Sequence, residues 1–305
     1  MEFFNPNSKI DFMGARKWTA IFSVFIFLSS ITGLMYKGLI WGLDFTGGTQ
    51  VQVVYPTSAD ISDIRTRLYQ VGFKEAQVVS YGTSKDVLIS IAPRADLNQS
   101  VLVDQLMNAL PGAVKQQVDF VGPQVGQELA TKGALAILVS LLATMLYIAV
   151  RFEYRLAFSS AIALIHDPVL ILGIFAWFGI EFDLKALAGL LAVIGYSLND
   201  TIVVFDRVRE NFIKVRRATP IEIMNISINQ TLSRTIMTSV LTLFVVVALF
   251  VYGGETIHGF ALALIIGIMI GTYSSIYVAG TLAIAMGLSS KDFMSGKKKI
   301  LDERP

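Results

Sequence analysis

The sequence predicts a membrane bundle of six transmembrane α-helices, with a small α+β domain inserted after the first helix. Three observations support this. The chain is 54% hydrophobic and 16% charged, whereas soluble domains carry about 25% charged residues. Its mean hydropathy is +0.62. Six apolar runs approach or exceed the roughly 20 residues that a membrane-spanning helix needs. These observations exclude a single water-soluble globule.

The composition also excludes several kinds of functional site. The chain has no cysteine, so it has no disulfide, thiolate zinc site or cysteine nucleophile. Its two histidines, His166 and His258, argue against a histidine-built metal site. The net charge of +2 gives no reason to expect nucleic acid as a partner.

The first apolar run, Trp18–Tyr36, follows Lys9, Arg16 and Lys17. A cleaved signal peptide has a shorter apolar core of about 7–15 residues and ends at small residues. We therefore interpret this run as a retained membrane anchor.

Residues 42–128 alternate between polar and apolar like a soluble domain. Residues 49–55 predict a strand, and 58–72 predict a helix capped by Ser58 and ended by Gly72. Two strands in a hairpin (76–82 and 86–92), a second helix (96–112) and a last strand (113–121) follow. The order β-α-β-β-α-β is the ferredoxin-like arrangement. No catalytic cluster is evident, which favours a binding or lever domain over an enzyme.

Five more spans follow this domain. They are Gly133–Val150, Leu156–Ile180, Leu184–Phe205, Thr235–Tyr252 and His258–Leu288. Lys and Arg concentrate in the N-terminus, the link after the second span, the link after the fourth span and the tail. These segments all lie on one side if there are six spans, so the positive-inside rule places both termini in the cytoplasm.

The predicted organisation along the chain is as follows: 1–17 cytoplasmic N-terminus, 18–36 first transmembrane helix, 42–128 periplasmic ferredoxin-like domain, 131–290 transmembrane helices two to six, and 291–305 cytoplasmic tail.

Asp200 is the most informative residue of the fourth span. Fifteen residues of helix after Lys185 descend about 22 Å, which places this carboxylate inside the hydrocarbon layer. A charge at the bilayer centre costs roughly 2.5–3.5 kcal/mol on insertion scales, so such groups are paired, hydrated or protonated, and proton relays are among their functions. Tyr196, Ser197 and Asn199 lie within one turn and are candidate hydrogen-bond partners.

Arg234, at the start of the fifth span, is the expected partner of Asp200. Thr238 and Thr242 follow it at steps of four and give that helix a polar stripe. One interpretation is an ion pair inside the bundle, which binds and releases a proton as the helices shift. The alternative is that Arg234 extends its head group to the membrane interface.

The third span contains His166 and Asp167, followed by Pro168. They form a weak candidate for an enzyme dyad, because no serine or cysteine nucleophile stands beside them in sequence. Coupling to the proton site and packing at the helix end remain equal alternatives.

Two further patterns concern packing. Small residues recur at every fourth position of the sixth span, at Gly259, Ala263, Gly267, Gly271, Ser275, Ala279 and Ala283. Such seams let helices approach closely, but steps of four drift around the axis and cannot face one straight neighbour throughout. Thr219, Pro220 and Glu222 form a helix-start signature. This start predicts a short interfacial helix before the fifth span, or a contact surface for a partner.

Six motifs together resemble the SecD/SecF family of protein-export membrane proteins. They are GLDFTGGT (42–49), VGPQVGQEL (121–129), HDPVLILG (166–173), IGYSLNDTIVVFDRVREN (194–211), LSRTIMTS (232–239) and GTYSSIYVA (271–279). The chain departs from the family pattern at Ile171, where many relatives have a threonine, so a hydroxyl role at that position is not implied.

The resemblance implies half of a transporter of the resistance-nodulation-division (RND) superfamily, located in the bacterial inner membrane. It implies a SecD partner, the SecYEG channel and a translocating unfolded polypeptide as partners. It also implies that the proton motive force assists protein export, with Asp200 and Arg234 as the proton-coupling residues. No cofactor is expected, with protons as the coupling ion.

Two alternatives stay open. The first is a subunit of an RND-type proton-coupled exporter of small molecules or lipids. Against it, a five-residue link stands where such pumps have a second external domain. The second is a passive scaffold of a membrane complex, whose charges are structural only.

Overall fold

The computed structural model describes residues 10–93, 99–215 and 217–294. The chain divides into two compact units. The sheet unit comprises Trp41–Ala136 and Glu181–Leu184, and the helical unit comprises the residues up to Ile40, Ile137–Ile180 and those from Lys185 onward. Parts of the predicted N-terminus (1–9), second helix (96–98), link after the fourth span (216) and tail (295–305) lie outside the described residues.

Six helices are long and apolar enough to cross a membrane. They are α1 (Arg16–Tyr36), α5 (Pro123–Arg151), α6 (Tyr154–Phe178), α7 (Leu184–Lys214), α8 (Pro220–Tyr252) and a sixth made of α9 (Glu255–Tyr273), a π-helical turn (Ser274–Val278) and α10 (Ala279–Ala285). A 3₁₀ turn, Met13–Ala15, precedes α1, and a short helix α11 (Lys291–Met294) follows the sixth span. The six predicted spans each fall on one of these helices.

The sheet unit has the predicted order of strands and helices. Its elements are β1 (Ile40–Trp41), α2 (Leu43–Thr46), β2 (Gly48–Val54), α3 (Ile61–Gln70), β3 (Gln77–Tyr81), β4 (Thr83–Ile91), α4 (Gln99–Ala109), β5 (Val114–Val121) and β6 (Glu181–Phe182). The antiparallel sheet runs β3-β4-β2-β5, while β1 and β6 form a separate two-stranded ribbon. This sheet order is that of a ferredoxin-like fold.

The core of the sheet unit follows from alternation along β2. Val51 and Val53 are fully buried and pack against Ile64 and Leu68 of α3 and Leu106 of α4. One predicted detail is wrong: Asp60, not Ser58, caps α3, because its carboxylate accepts from the N–H groups of Ser62 (2.9 Å) and Asp63 (3.3 Å). An aspartate at this position satisfies two donors of the first helical turn.

A second correction concerns the fifth span. The predicted short interfacial helix is the first half of α8, which runs without a break from Pro220 to Tyr252. The predicted cap of Thr219 and Glu222 is confirmed at its start. Its apolar edge packs inside the chain, since Met224 and Ile228 are buried in the core of the helical unit.

Polar residues in this first half of α8 also have partners within the chain. Asn225 accepts from the Met13 N–H (2.9 Å), and Asn229 accepts from the Ile10 N–H (3.0 Å). Asn211 of α7 donates to Ser227 at 2.9 Å. These contacts explain how a helix with many amide side chains remains buried.

Glycines bring α7 and the sixth span close together. A Cβ atom added to Gly189 would lie 2.8 Å from the Phe260 carbonyl oxygen, and one added to Gly271 would lie 3.0 Å from the Ser197 Cβ. The later seam residues, Ala279 and Ala283, are buried instead with Met13 and Met224. The seam therefore contacts different neighbours in its two halves, as its drift predicts.

Candidate proton-coupling site

Asp200 lies in the middle third of α7 and is only 3% exposed. Its Oδ2 atom is buried and has no hydrogen-bond partner among the described residues. A buried carboxylate oxygen without a donor is costly when charged. A neutral, protonated carboxyl group would avoid this cost.

Arg234 is placed differently from the predicted ion pair. Within the described residues, no ion pair shorter than 4.0 Å joins its guanidinium to Asp200, and its side chain is exposed on α8. The long, flexible stem of arginine explains the difference, because the head group stays on the exposed side of the helix.

Thr235, next to Arg234, is 1% exposed, and its Oγ1 has no partner among the described residues. The predicted polar stripe on α8 is bonded within its own helix. Thr238 donates to the Arg234 carbonyl (3.0 Å), and Thr242 donates to the Thr238 carbonyl (2.8 Å). These two hydroxyls thus have acceptors independent of Asp200.

Of the residues near Asp200 on α7, only some face the bundle. Tyr196 donates to Ser239 of α8 (3.2 Å), and Ser239 is 2.9 Å from the Thr272 hydroxyl of α9. Asn199 is exposed. Tyr196 therefore joins three helices, whereas Asn199 lies on the outer face of α7.

Asp167 of α6 is the centre of the main buried polar network, and it is 1% exposed. Its Oδ2 accepts from Ser197 of α7 at 2.5 Å and from Ser274 of the π turn at 2.7 Å. Its Oδ1 is 3.0 Å from the Nδ1 atom of His166. Two donating hydroxyl groups and one imidazole nitrogen thus converge on one carboxylate, and the two hydroxyls join α6 to α7 and to the sixth span.

His166 supports this network from one side. Its ring is stacked on Phe27 of α1, with centroids 5.8 Å apart, and its Nε2 is buried without a partner among the described residues. The two serines donate to Asp167 rather than to His166, so the arrangement is not that of a nucleophilic triad. It fits packing and positioning of helices.

Sequence reasoning did not single out Ser274, Ser239 or Thr272. One signal was present: Ser274 and Ser275 form a polar pair within an otherwise apolar span. A π turn, which often occurs at functional sites, begins at this pair. Spacing alone does not reveal that Ser274 meets Asp167, because their positions are 107 residues apart.

No group of three or more His, Cys, Asp or Glu side chains able to hold a metal occurs in the part of the chain that the structure describes. What the helices provide is one carboxylate with three close polar partners, Asp167, and one with an unpartnered oxygen, Asp200.

Comparisons with known proteins agree with this architecture. The family model "Protein export membrane protein SecD/SecF, C-terminal" matches residues 102–289, and the "SecD/SecF GG Motif" matches residues 37–55. A protein translocase subunit SecF from Vibrio alginolyticus is 49% identical over 290 residues, covering 93% of this chain and 92% of that protein. The SecF of Escherichia coli O157:H7 is 41% identical, with 97% and 94% covered.

Solved structures show the same fold. SecDF from Thermus thermophilus, a translocon-associated membrane protein, superposes with a TM-score of 0.84 at 35% identity. The match covers 93% of this chain and 39% of the longer SecDF chain. A SecDF structure in a super-membrane-facing form superposes with a TM-score of 0.68 at 34% identity, with 97% and 40% covered.

These matches confirm the resemblance found in the sequence motifs, and the six apolar helices make the protein a multi-pass bacterial membrane protein. The chain belongs to the SecD/SecF family of protein-export membrane proteins.

Proposed function

We propose that the protein is an accessory subunit of the Sec protein translocase and uses the proton motive force to assist export across the bacterial inner membrane. Support comes from relatives named as translocase subunits and from the unpartnered Asp200 oxygen inside a membrane-spanning helix. The Asp200 oxygen carries the proton-coupling part of the proposal.

The proposed arrangement places both termini in the cytoplasm and the sheet unit on the periplasmic side. Its basis is the Lys/Arg distribution in the links, which follows the positive-inside rule. A SecD partner, the SecYEG channel, the lipid bilayer and the unfolded exported chain complete the assembly. The region of the Thermus thermophilus SecDF chain that matches this one is 39% of its length, and the remainder of that chain is the model for the proposed SecD partner.

In the proposed cycle Asp200 takes up a proton, and Arg234 favours its release. Asp200 and Arg234 lie on the successive spans α7 and α8, and no ion pair shorter than 4.0 Å joins them among the described residues. A small movement of α8 relative to α7 therefore changes the balance between charged and neutral Asp200. One charge that crosses 100 mV releases about 2.3 kcal/mol, so a few protons suffice to move a small domain.

The test measures export into sealed membrane vesicles that contain the whole translocase, with and without a protonophore. We expect Asp200→Asn and Arg234→Met to lower proton-driven export at least tenfold. Export that remains after the gradient is collapsed should not change. Asn199→Ala is the matched control, because this neighbour is exposed.

Wild-type export in both variants would contradict the proposal and favour a passive scaffold. Normal export of proteins together with lost proton-driven efflux of a small molecule or lipid would favour the RND-type exporter.

A further inference from the structure

The start of α7 is held by a side chain from the GG-motif segment, residues 42–48. The first N–H groups of a helix have no acceptor within the helix and need one from elsewhere. The Leu184 N–H, the first of α7, donates to Oδ2 of Asp44 at 3.0 Å. Both residues belong to the sheet unit.

Asp44 is fixed in place by the backbone around it. It lies in the single turn of α2, between Gly42 and Gly47. The Gly42 N–H donates to the Phe182 carbonyl at 3.0 Å, and a Cβ atom on Gly42 would lie 2.9 Å from the Asp183 Cβ. The GG-motif segment thus lies directly against the link that leads into α7.

Gly47 adds a second constraint. Its φ is +66°, a conformation that favours glycine. A Cβ atom added to Gly126, in the first turns of α5, would lie 2.7 Å from the backbone nitrogen of Gly47. The same short segment therefore contacts the starts of two membrane-spanning helices.

Further side-chain contacts, independent of Asp44, join residues 41–50 to the link before α7. Gln50 donates to Glu181 at 3.2 Å. Phe45 is stacked on Phe182 with centroids 6.0 Å apart, and Trp41 packs edge-on against both rings. The link before α7 is therefore held by backbone, polar and aromatic contacts.

We propose that Asp44 is a positioning residue: it caps α7 and makes the GG-motif segment set the position of Asp200 along the helix axis. α7 is continuous from Leu184 to Lys214, so Asp200 lies 16 residues, about 24 Å, further along the same helix. A displacement of the GG-motif segment along that axis is passed to Asp200. This inference rests on the proposed proton-coupling function.

Capping chemistry supplies matched variants. Asparagine keeps a side-chain oxygen that can accept from the Leu184 N–H, whereas alanine has none. Asp44→Asn should therefore behave as wild type and Asp44→Ala should not. Asp104→Ala is the control for loss of an acidic residue in the same unit, because Asp104 is exposed on α4.

The first measurement is hydrogen exchange at the Leu184 amide in the full chain, beside proton-driven export in sealed vesicles. We expect Asp44→Ala to raise exchange at Leu184 about fivefold, the size of a typical capping contribution, and to lower proton-driven export severalfold. Asp44→Asn and Asp104→Ala should leave both unchanged. Wild-type exchange in Asp44→Ala, or raised exchange with wild-type export, would overturn the inference.

Asp200→Asn is run in parallel to separate the two proposals. If Asp200→Asn loses proton-driven export and Asp44→Ala does not, the inference fails and the proposed function stands. If Asp200→Asn exports like wild type, the proposed function fails, and the Leu184 exchange still decides whether Asp44 caps the helix.

A cross-link between positions 45 and 182 tests whether the GG-motif segment can stay attached to the residues before α7 throughout export. Because the chain has no cysteine, a Phe45→Cys, Phe182→Cys double variant gives one defined pair of thiols. A short, reducible bifunctional thiol reagent should leave its proton-driven export equal to that of the same variant without the reagent. Loss of export that a reductant restores would show that the contact must open, and would overturn the inference.

Discussion

Asp167 and Asp200 are both buried carboxyl groups in neighbouring membrane-spanning helices, yet their surroundings differ. Asp167 accepts from two serines and lies beside His166 Nδ1. Asp200 has an oxygen without a partner in the described part of the chain. A carboxylate surrounded by donors is already stabilised and holds helices together. A carboxylate oxygen without a hydrogen-bond donor remains available to bind a proton.

The largest expected effect on stability is at Asp167. Asp167→Leu leaves two buried hydroxyls and one ring N–H without their acceptor, at about 1–3 kcal/mol for each unsatisfied group. We expect the free energy of unfolding to fall by about 3 kcal/mol, measured by denaturant titration in micelles. An equal fall for Asp200→Leu would remove the distinction between the two sites.

A smaller effect is expected at the serines that donate to Asp167. Ser197→Ala and Ser274→Ala should each lower the free energy of unfolding by about 1 kcal/mol, the typical net value of one hydrogen bond. A double-mutant cycle with Asp167→Asn should show coupling for both. Ser275→Ala is the matched control, because Ser275 donates to the Gly271 carbonyl of its own helix (2.8 Å). Additive effects would argue against a shared network.

The opposite sign is expected at Asp200. Asp200→Asn removes a buried charge without removing a hydrogen bond at Oδ2, so the free energy of unfolding should stay equal or rise by up to about 1 kcal/mol. The same titration measures it, with Asn199→Ala as a control that should change it by less than about 0.5 kcal/mol. A loss of 2 kcal/mol or more would reveal a partner at this carboxylate.

A third carboxyl group, that of the partly buried Glu181 outside the membrane spans, tests how burial and hydrogen bonding balance. Burial raises the pKa of Glu181, and the nearby Asp183 and Asp44 raise it further, while Gln50 acts in the opposite direction. The folded protein therefore holds this proton more tightly than the unfolded chain. Its stability falls as the pH rises from the ordinary glutamate pKa to the raised one.

Glu181→Gln, which does not ionise, should raise the midpoint of thermal unfolding by roughly 1–2 °C at pH 8. At pH 4.5 the difference from wild type should shrink. A gain of the same size at both pH values would show that charge is not the cause.

Local patterns in the sequence predict much of the fold. The six spans follow from apolar length, strand β2 from alternation at Val51 and Val53, and the start of α8 from Thr219, Pro220 and Glu222. Each of these signals lies within one continuous segment of the chain. Such signals do not depend on what the segment meets later.

The predictions that were wrong or incomplete depend on distant partners. The polar first half of α8 resembles an interfacial helix until Asn225 and Asn229 are seen to bind residues 10–13. Asp167 resembles a helix-end residue until Ser274 is placed against it. For Arg234 the sequence left two placements open, an ion pair with Asp200 or a head group at the interface. Its side chain is exposed, and no ion pair shorter than 4.0 Å joins it to Asp200 among the described residues.

The π turn at Ser274–Val278 sets the rotation between the two halves of the sixth span, so that each half turns its small residues toward its own neighbours. In an α-helix each four-residue step rotates about 40° past a full turn, so a long run of such steps winds away from any fixed surface. The wider turn resets this rotation, and Ala279 and Ala283 remain buried. A deletion of one residue there would turn α10 by about 100°. Both alanines would then leave the core. The extra residue that the π turn contains therefore fixes the rotation of α10 about the helix axis.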